Sequence, residues 1–375
     1  MKQKIKICFI LSHLPQGGAE RQILNLIKGL DPSKYDITLL LYSRREIFYQ
    51  DVYQLHVQLI IHQSEHSDRL FRNIRNAIYL KRFLNRHNFD ILHTLLAHNG
   101  FWVRLVAPRK YNQRIIYSIR NDLQSGSIFY NFFEKFLIRN SHVVTNSLKV
   151  MDQFIKLVGD KFKDKVSNIY NGFEVERFIS TESPELTDTI IIGTVGRQTA
   201  LKNQIQILEA VKRISRTFSL HFYLIGDQAQ DRFIENEKYV LTNQLDKYVT
   251  NLDSQSEIEL YYKRFNIFVL SSISESCPNV LFEAMLAKCL CIVSEGANSD
   301  HFIEDGINGL VYDGSTDMLE AKLTTAIKML RDRGISEMVS NGQKYTLNNF
   351  SENKMIMSYE KVYADLLNDL AGSSE

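Results

Sequence analysis

Short, uninterrupted runs of apolar residues recur along the chain, each followed by a segment long enough to cross back over a sheet. They fall at 5–12, 35–42, 89–94, 114–119 and 142–146, and again at 189–195, 220–225, 266–271, 290–294 and 309–312. A strand that is apolar at consecutive positions is buried on both faces, an environment provided by a parallel sheet covered with helices. Between the first two runs, Ile23, Ile27 and Leu30 recur at helical spacing. A strand, a helix and a second strand in that order make a crossover unit with parallel strands. The pattern therefore predicts an α/β chain of doubly wound sheets.

The chain has 375 residues, 44% of them hydrophobic, which is more than one compact core usually organises. Polar residues gather at 180–185, and the next apolar run ends in Gly196-Arg197. We place the boundary there, with one domain over 1–178 and a second over 179–350. In the remaining segment, 351–375, Met355, Tyr359, Val362, Tyr363 and Leu366 follow a Ser351-Glu352 start signal. That spacing predicts an amphipathic helix, expected to pack back across the domain junction.

Charge and cysteine content narrow the function classes. The 45 basic residues nearly balance 43 acidic ones, a formal charge of +2, so the overall field provides no reason to expect a nucleic-acid partner. The basic start is followed by an apolar run too short for a signal-peptide core or a membrane span, which points to a cytoplasmic protein. Cys8, Cys277, Cys289 and Cys291 lack the paired spacing of a zinc site and are read as reduced, structural thiols. No metal is expected.

The segment Ser274-Glu275-Ser276-Cys277-Pro278-Asn279-Val280-Leu281-Phe282-Glu283-Ala284-Met285 carries the most chemical information. It follows a strand and enters a helix near Pro278 or Asn279, leaving Glu275 on the loop and Glu283 within the helix. The amides of Asn279, Val280 and Leu281 would point at a phosphate, which the helix dipole also favours. The spacing of the two glutamates does not by itself define chemistry, because most such pairs are solvated. Three other places add to the picture. Gly17-Gly18 follows the first strand, and two glycines there read by themselves as a turn. Arg197 and Lys202 follow the first strand of the second domain, where two cations by themselves read as surface charges. His98 follows the strand that contains His93.

Together these segments resemble the family-four retaining glycosyltransferases of the GT-B fold, and the resemblance extends over nearly the whole chain. Its carriers are the paired glutamates with Pro-Asn between them and Glu-Ala-Met at the end, Gly17-Gly18-Ala19-Glu20-Arg21, the Gly196-Arg197 and Lys202-Asn203 pair, and 90–98. Tyr170-Asn171-Gly172 and the turn at 303–311 also match, as structural turns. The resemblance implies two Rossmann-like domains facing across a cleft, an N-terminal acceptor domain and a C-terminal donor domain. It assigns Glu283 to ribose hydroxyls, Glu275 to the donor sugar, Arg197 and Lys202 to the diphosphate, and His98 to the transferred sugar. His93, on the strand, is read as packed. A nucleotide-diphosphate sugar would be the donor substrate, with no cofactor, no metal and retention of configuration. The acceptor would be a carbohydrate or a lipid-linked carbohydrate of cell-surface polysaccharide or lipopolysaccharide assembly.

The chain departs from the family pattern where Ser276 stands for a usual Gly, where Cys289 and Cys291 stand for Gly and Pro, and where Asp300 stands for Glu. These changes put the donor sugar, and competence for transfer, in question. Two alternatives stay open: a sugar-nucleotide epimerase of the same fold, and a non-enzymatic nucleotide-sugar-binding or scaffolding subunit. Residues 69–86 contain no acid and have helical apolar spacing. They could contact an anionic membrane at its inner face, or simply form a first-domain helix with solvated charges.

Overall fold

A computed structural model describes residues 3–14, 18–43, 52, 55–62, 69–120, 128–227, 231–332 and 334–372. Two compact units form, one from Met1–Gly172 with Glu352–Glu375 and the other from Phe173–Ser351.

In chain order the first unit contains β1 (Ile5–Leu11), α1 (Gly18–Gly29), β2 (Tyr35–Leu41), β3 (Val57–Ile61), α2 (Arg69–Arg86), β4 (Ile91–Leu95), α3 (Ala97–Val106), β5 (Ile115–Ile119), α4 (Ile128–Leu137), β6 (Ser141–Thr145), α5 (Leu148–Val158) and β7 (Val166–Asn168). The strands pair in parallel in the order β3-β2-β1-β4-β5-β6-β7. Successive residues of β1 serve different layers, which explains its unbroken apolar run. Ile7, Phe9 and Leu11 pack with Ile23 and Ile27 of α1 on one face. Cys8 and Ile10 pack with Leu80, Phe83 and Leu84 of α2 on the other.

The second unit contains α6 (Val175–Phe178), β8 (Ile190–Val195), α7 (Gln204–Ile214), β9 (Leu220–Ile225), α8 (Asp231–Thr242), β10 (Val249–Leu252), α9 (Ile258–Tyr262), β11 (Ile267–Leu270), α10 (Asn279–Leu286), β12 (Leu290–Ser294), β13 (Leu310–Tyr312), α11 (Thr316–Arg331) and α12 (Ser336–Asn349). Its parallel sheet runs β10-β9-β8-β11-β12-β13. Ile190 and Ile192 of β8 anchor a core shared with Ile207 and Val211 of α7 and Leu323 and Ile327 of α11.

The division falls after Gly172 and not after 178. Phe173 donates its backbone N–H to the Phe350 carbonyl (2.9 Å) and packs its ring against Phe282, with centroids 5.3 Å apart. Arg177 then pairs with Glu259 of α9 at 2.8 Å. Those contacts commit 173–178 to the second unit.

The C-terminal helix, α13 (Glu352–Gly372), is part of the first unit. Its Met355, Ile356, Tyr359, Val362 and Tyr363 are buried in the core that includes α1. Polar groups fix its register. His93 on β4 is fully buried and hydrogen-bonds Tyr363 Oη and Ser118 Oγ, each at 2.9 Å. Arg120 donates to Tyr359 Oη and to Asn171 Oδ1, the latter at 2.7 Å. Burial, assisted by the nearby Arg120 charge, pushes the His93 imidazole down to about 3. His93 is thus a neutral packing residue, as its strand position predicts.

Candidate active site

An open parallel sheet leaves a crevice where neighbouring strands connect in opposite directions, at their carboxyl ends. In the first unit that point lies between the paired strands β1 and β4, and in the second between β8 and β11. The candidate residues among the described ones gather at these two places.

At the second unit's switch point, two loops are stitched together. The loop after β8 turns at Gly196, whose φ of 148 is one that L side chains rarely adopt, and passes Lys202 to Asn203, held left-handed at φ 51. Opposite it, Ser271 Oγ donates to the carbonyls of Lys202 (2.9 Å) and Asn203 (3.1 Å), and Ile273 N–H donates to Leu201 O (2.8 Å). Glu275 N–H donates to Gly296 O at 3.1 Å. Position 296 must be Gly, because a Cβ there would lie 2.1 Å from the Ile273 carbonyl oxygen.

This framework brings Lys202 and Glu275 into an ion pair. Ser272, buried, donates its hydroxyl to the same carboxylate oxygen, Glu275 Oε1, at 2.6 Å. The side chains keep 21% and 13% of their exposure, so a ligand can reach both. Arg197 is exposed on the same loop as Lys202. The Lys202 charge is therefore met by Glu275.

Helix α10 begins at Asn279 with Pro278 as its cap residue. One of the three amides expected to face a phosphate is committed elsewhere, since Leu281 N–H donates to Pro278 O at 3.1 Å and its side chain is fully buried. Asn279 and Val280 remain as first-turn positions, each partly exposed. Glu283, one turn on, is partly exposed and accepts a hydrogen bond from Tyr262 Oη at 2.8 Å on Oε2.

Two of the departures from the family pattern, Cys289 and Cys291, are absorbed by packing. The left-handed residue of the turn after α10 is Lys288, at φ 58, so the glycine position of the pattern falls on Lys288 and not on Cys289. Cys289 is buried and donates its thiol to Tyr262 O at 3.2 Å. Cys291 is buried within β12. None of the four cysteines is in a disulfide.

In the first unit, His98 is partly exposed in the first turn of α3, directly after β4. The residue before that helix, Leu96, is held at φ 63, a strained value for a side chain of its size. Ser12, just past β1, donates to Asn99 Oδ1 at 2.5 Å and ties the two switch-point loops together. Gly18 is exposed at the start of α1, and Gly17 lies outside the described residues. Among the described residues, no group of 3 or more His, Cys, Asp or Glu could hold a metal ion.

Sequence reasoning missed Ser272 and Tyr262. Ser272 had a weak signal, a hydroxyl at the end of a strand leading into a charged loop. Tyr262 had none, because it meets Glu283 from a separate helix.

The comparisons with known proteins agree with this architecture. Residues 16–177 match the family described as Glycosyltransferase Family 4, and residues 189–330 match that described as Glycosyl transferases group 1. A Campylobacter jejuni protein named GalNAc-alpha-(1->4)-GalNAc-alpha-(1->3)-diNAcBac-PP-undecaprenol alpha-1,4-N-acetyl-D-galactosaminyltransferase is 21% identical over 97% of this chain and 99% of its own. The Escherichia coli UDP-Gal:alpha-D-GlcNAc-diphosphoundecaprenol alpha-1,3-galactosyltransferase is 20% identical over 80% of this chain and 81% of its own. Among solved structures, a glycosyltransferase from Rickettsia africae superposes with a TM-score of 0.82, 19% identity and coverage of 97% and 99%. Anabaena HepE in complex with UDP-glucose superposes with a TM-score of 0.77, 16% identity and coverage of 96% and 100%.

Two Rossmann-like units built on these parallel sheets define the GT-B class of glycosyltransferase. Within that class the chain belongs to glycosyltransferase family 4.

Proposed function

We propose that this enzyme transfers a sugar, with retention of configuration and without a metal, from a nucleotide-diphosphate sugar to a lipid-linked carbohydrate of cell-surface polysaccharide or lipopolysaccharide assembly. The observation that carries the reading is the convergence of Lys202 and Glu275 at the second unit's switch point. The Anabaena neighbour, solved with UDP-glucose, supports the donor class. The Campylobacter and E. coli relatives, named for undecaprenyl-diphosphate-linked substrates, support the acceptor class.

In this reading Glu283 binds the ribose hydroxyls, and the first turn of α10 with Arg197 and Lys202 takes the diphosphate. Negative charge builds on that group as the sugar C1–O bond breaks, and fixed cations stabilise it most at that moment. Lys202 moves from Glu275 to the phosphate, and Glu275 becomes available to the sugar hydroxyls. The acceptor oxygen bonds to C1 on the face the diphosphate leaves, and the leaving phosphate takes the acceptor's proton. The first unit supplies the acceptor surface, and His98 is assigned to the transferred sugar.

A thermal-shift screen of UDP, GDP, ADP and their sugar conjugates tests the donor assignment. A ligand that binds only the folded state at a hundred times its Kd adds about 2.7 kcal/mol, so one base should raise Tm by about 5 °C or more. No shift with any of them removes the reading. A shift without turnover on any acceptor supports the scaffolding alternative.

Helix α2 supports a peripheral contact with anionic lipid at the inner face of the membrane. It buries Ala77, Leu80, Phe83 and Leu84, while Phe71, Ile74 and Ile78 stay exposed. By helical spacing, Arg75, Arg82 and Arg86 share that outer face, and all three are exposed. No described helix is long and apolar enough to cross a membrane. In flotation assays the protein should rise with phosphatidylglycerol-containing vesicles and remain behind with phosphatidylcholine alone, and Arg75→Glu with Arg82→Glu should abolish recovery. Equal recovery with both vesicle types, or with both charges reversed, overturns the contact.

A further inference from the structure

We infer that Tyr262 is a positioning residue of the donor site, acting through Glu283. The inference rests on the reading of Glu283 as a donor ligand and names the group that holds its carboxylate.

Tyr262 ends α9 and is completely buried. Its ring is caged by Phe178 (centroids 5.9 Å apart), Phe265 (5.9 Å) and Phe268 (5.8 Å). Its backbone carbonyl accepts the Cys289 thiol at 3.2 Å, fastening the end of α9 to the turn before β12. The ring cannot swing away, so the hydroxyl stays where Glu283 Oε2 meets it at 2.8 Å. A buried hydroxyl needs a partner, and a bond to a carboxylate is among the stronger ones available.

The geometry has a consequence for binding. A glutamate side chain on a helix surface samples several rotamers, and a ligand that requires one of them must order it. With Oε2 held from the interior, the carboxylate is ordered before the nucleotide arrives. The tyrosine never needs to touch the ligand, since its hydroxyl points into the protein side of the carboxylate. Cys289 then has a role as well, because its thiol secures the residue that secures Glu283.

The test is a binding cycle. Wild type, Tyr262→Phe, Glu283→Ala and the double variant are titrated calorimetrically with the nucleoside diphosphate found in the thermal-shift screen. Tyr262→Phe removes one oxygen and keeps the ring that fills the core. It is expected to raise Kd about tenfold, the size of a hydrogen bond to a charged group, and to raise donor KM with kcat changed less than about twofold. In the double variant Kd should equal that of Glu283→Ala alone, because Tyr262 acts only through the side chain that alanine removes. A purely structural role would weaken binding equally in both backgrounds, so additive losses overturn the inference. Unchanged Kd in Tyr262→Phe, with Glu283→Ala weakened, also overturns it and leaves the donor reading standing. Unchanged Kd in Glu283→Ala removes the donor reading itself.

Discussion

Glu275→Gln is expected to lower sugar transfer about 10²- to 10³-fold while changing nucleotide affinity little. Gln preserves the shape of the side chain and its contact with Ser272, which now approaches a neutral amide oxygen. It removes the negative charge that pairs with Lys202 and that would hold the sugar hydroxyls. The diphosphate is not weakened by this loss, because Lys202 no longer has to be taken from a carboxylate. The defect should therefore appear in kcat at saturating donor, a sign that the interaction matters after binding. Steady-state kinetics with the donor varied provide the check. Wild-type kcat in the variant would remove Glu275 from the reaction.

The second large effect is on stability. Arg104 on α3 makes two parallel hydrogen bonds to Glu134 on α4, both 2.7 Å, with side chains 0% and 5% exposed. Its Nε donates to Gly100 O at 2.8 Å, and its guanidinium lies 4.1 Å from the centre of the Tyr117 ring. Removing one partner of such a pair leaves a charge buried without compensation. Glu134→Leu is accordingly expected to cost about 3–5 kcal/mol, lowering Tm by about 10 °C. Adding Arg104→Met to that variant should recover most of the loss, since replacing the whole pair with apolar groups is often close to neutral. Thermal and urea denaturation of the two variants measure this. A loss below about 1 kcal/mol in the single variant would mean that the guanidinium finds water. Because α3 also carries His98, the single variant should loosen that side chain too.

Central strands were legible because they are buried on both faces. The three strands that sequence reading passed over, β3, β7 and β10, are all sheet edges. Every position of β3 except one is only partly buried, and the exception is exposed. β7 has three residues and β10 four. An edge strand has half its surroundings missing, so its apolar signal fades into that of a loop. The boundary was misplaced for a related reason. Polar composition marks where a linker is exposed, whereas Phe173 and Arg177 join the second unit through particular partners, Phe350, Phe282 and Glu259.

At the site, motif spacing pointed to loops that the structure places at the two switch points. It overcounted the helix amides at Leu281 and displaced the left-handed turn residue from Lys288 by one position. Both depend on backbone angles that residue identity constrains only weakly.

By itself the sequence determined the class of architecture, the order of its elements and the loops that bear charged and glycine residues, because periodicity of apolar residues is a local property of the chain. Only the tertiary structure decided which of those groups meet. Lys202 and Glu275 are 73 residues apart, and His93 and Tyr363 are 270 apart. Their encounters follow from strand order and from helices returning to a distant sheet, and no local pattern records where a strand will be inserted.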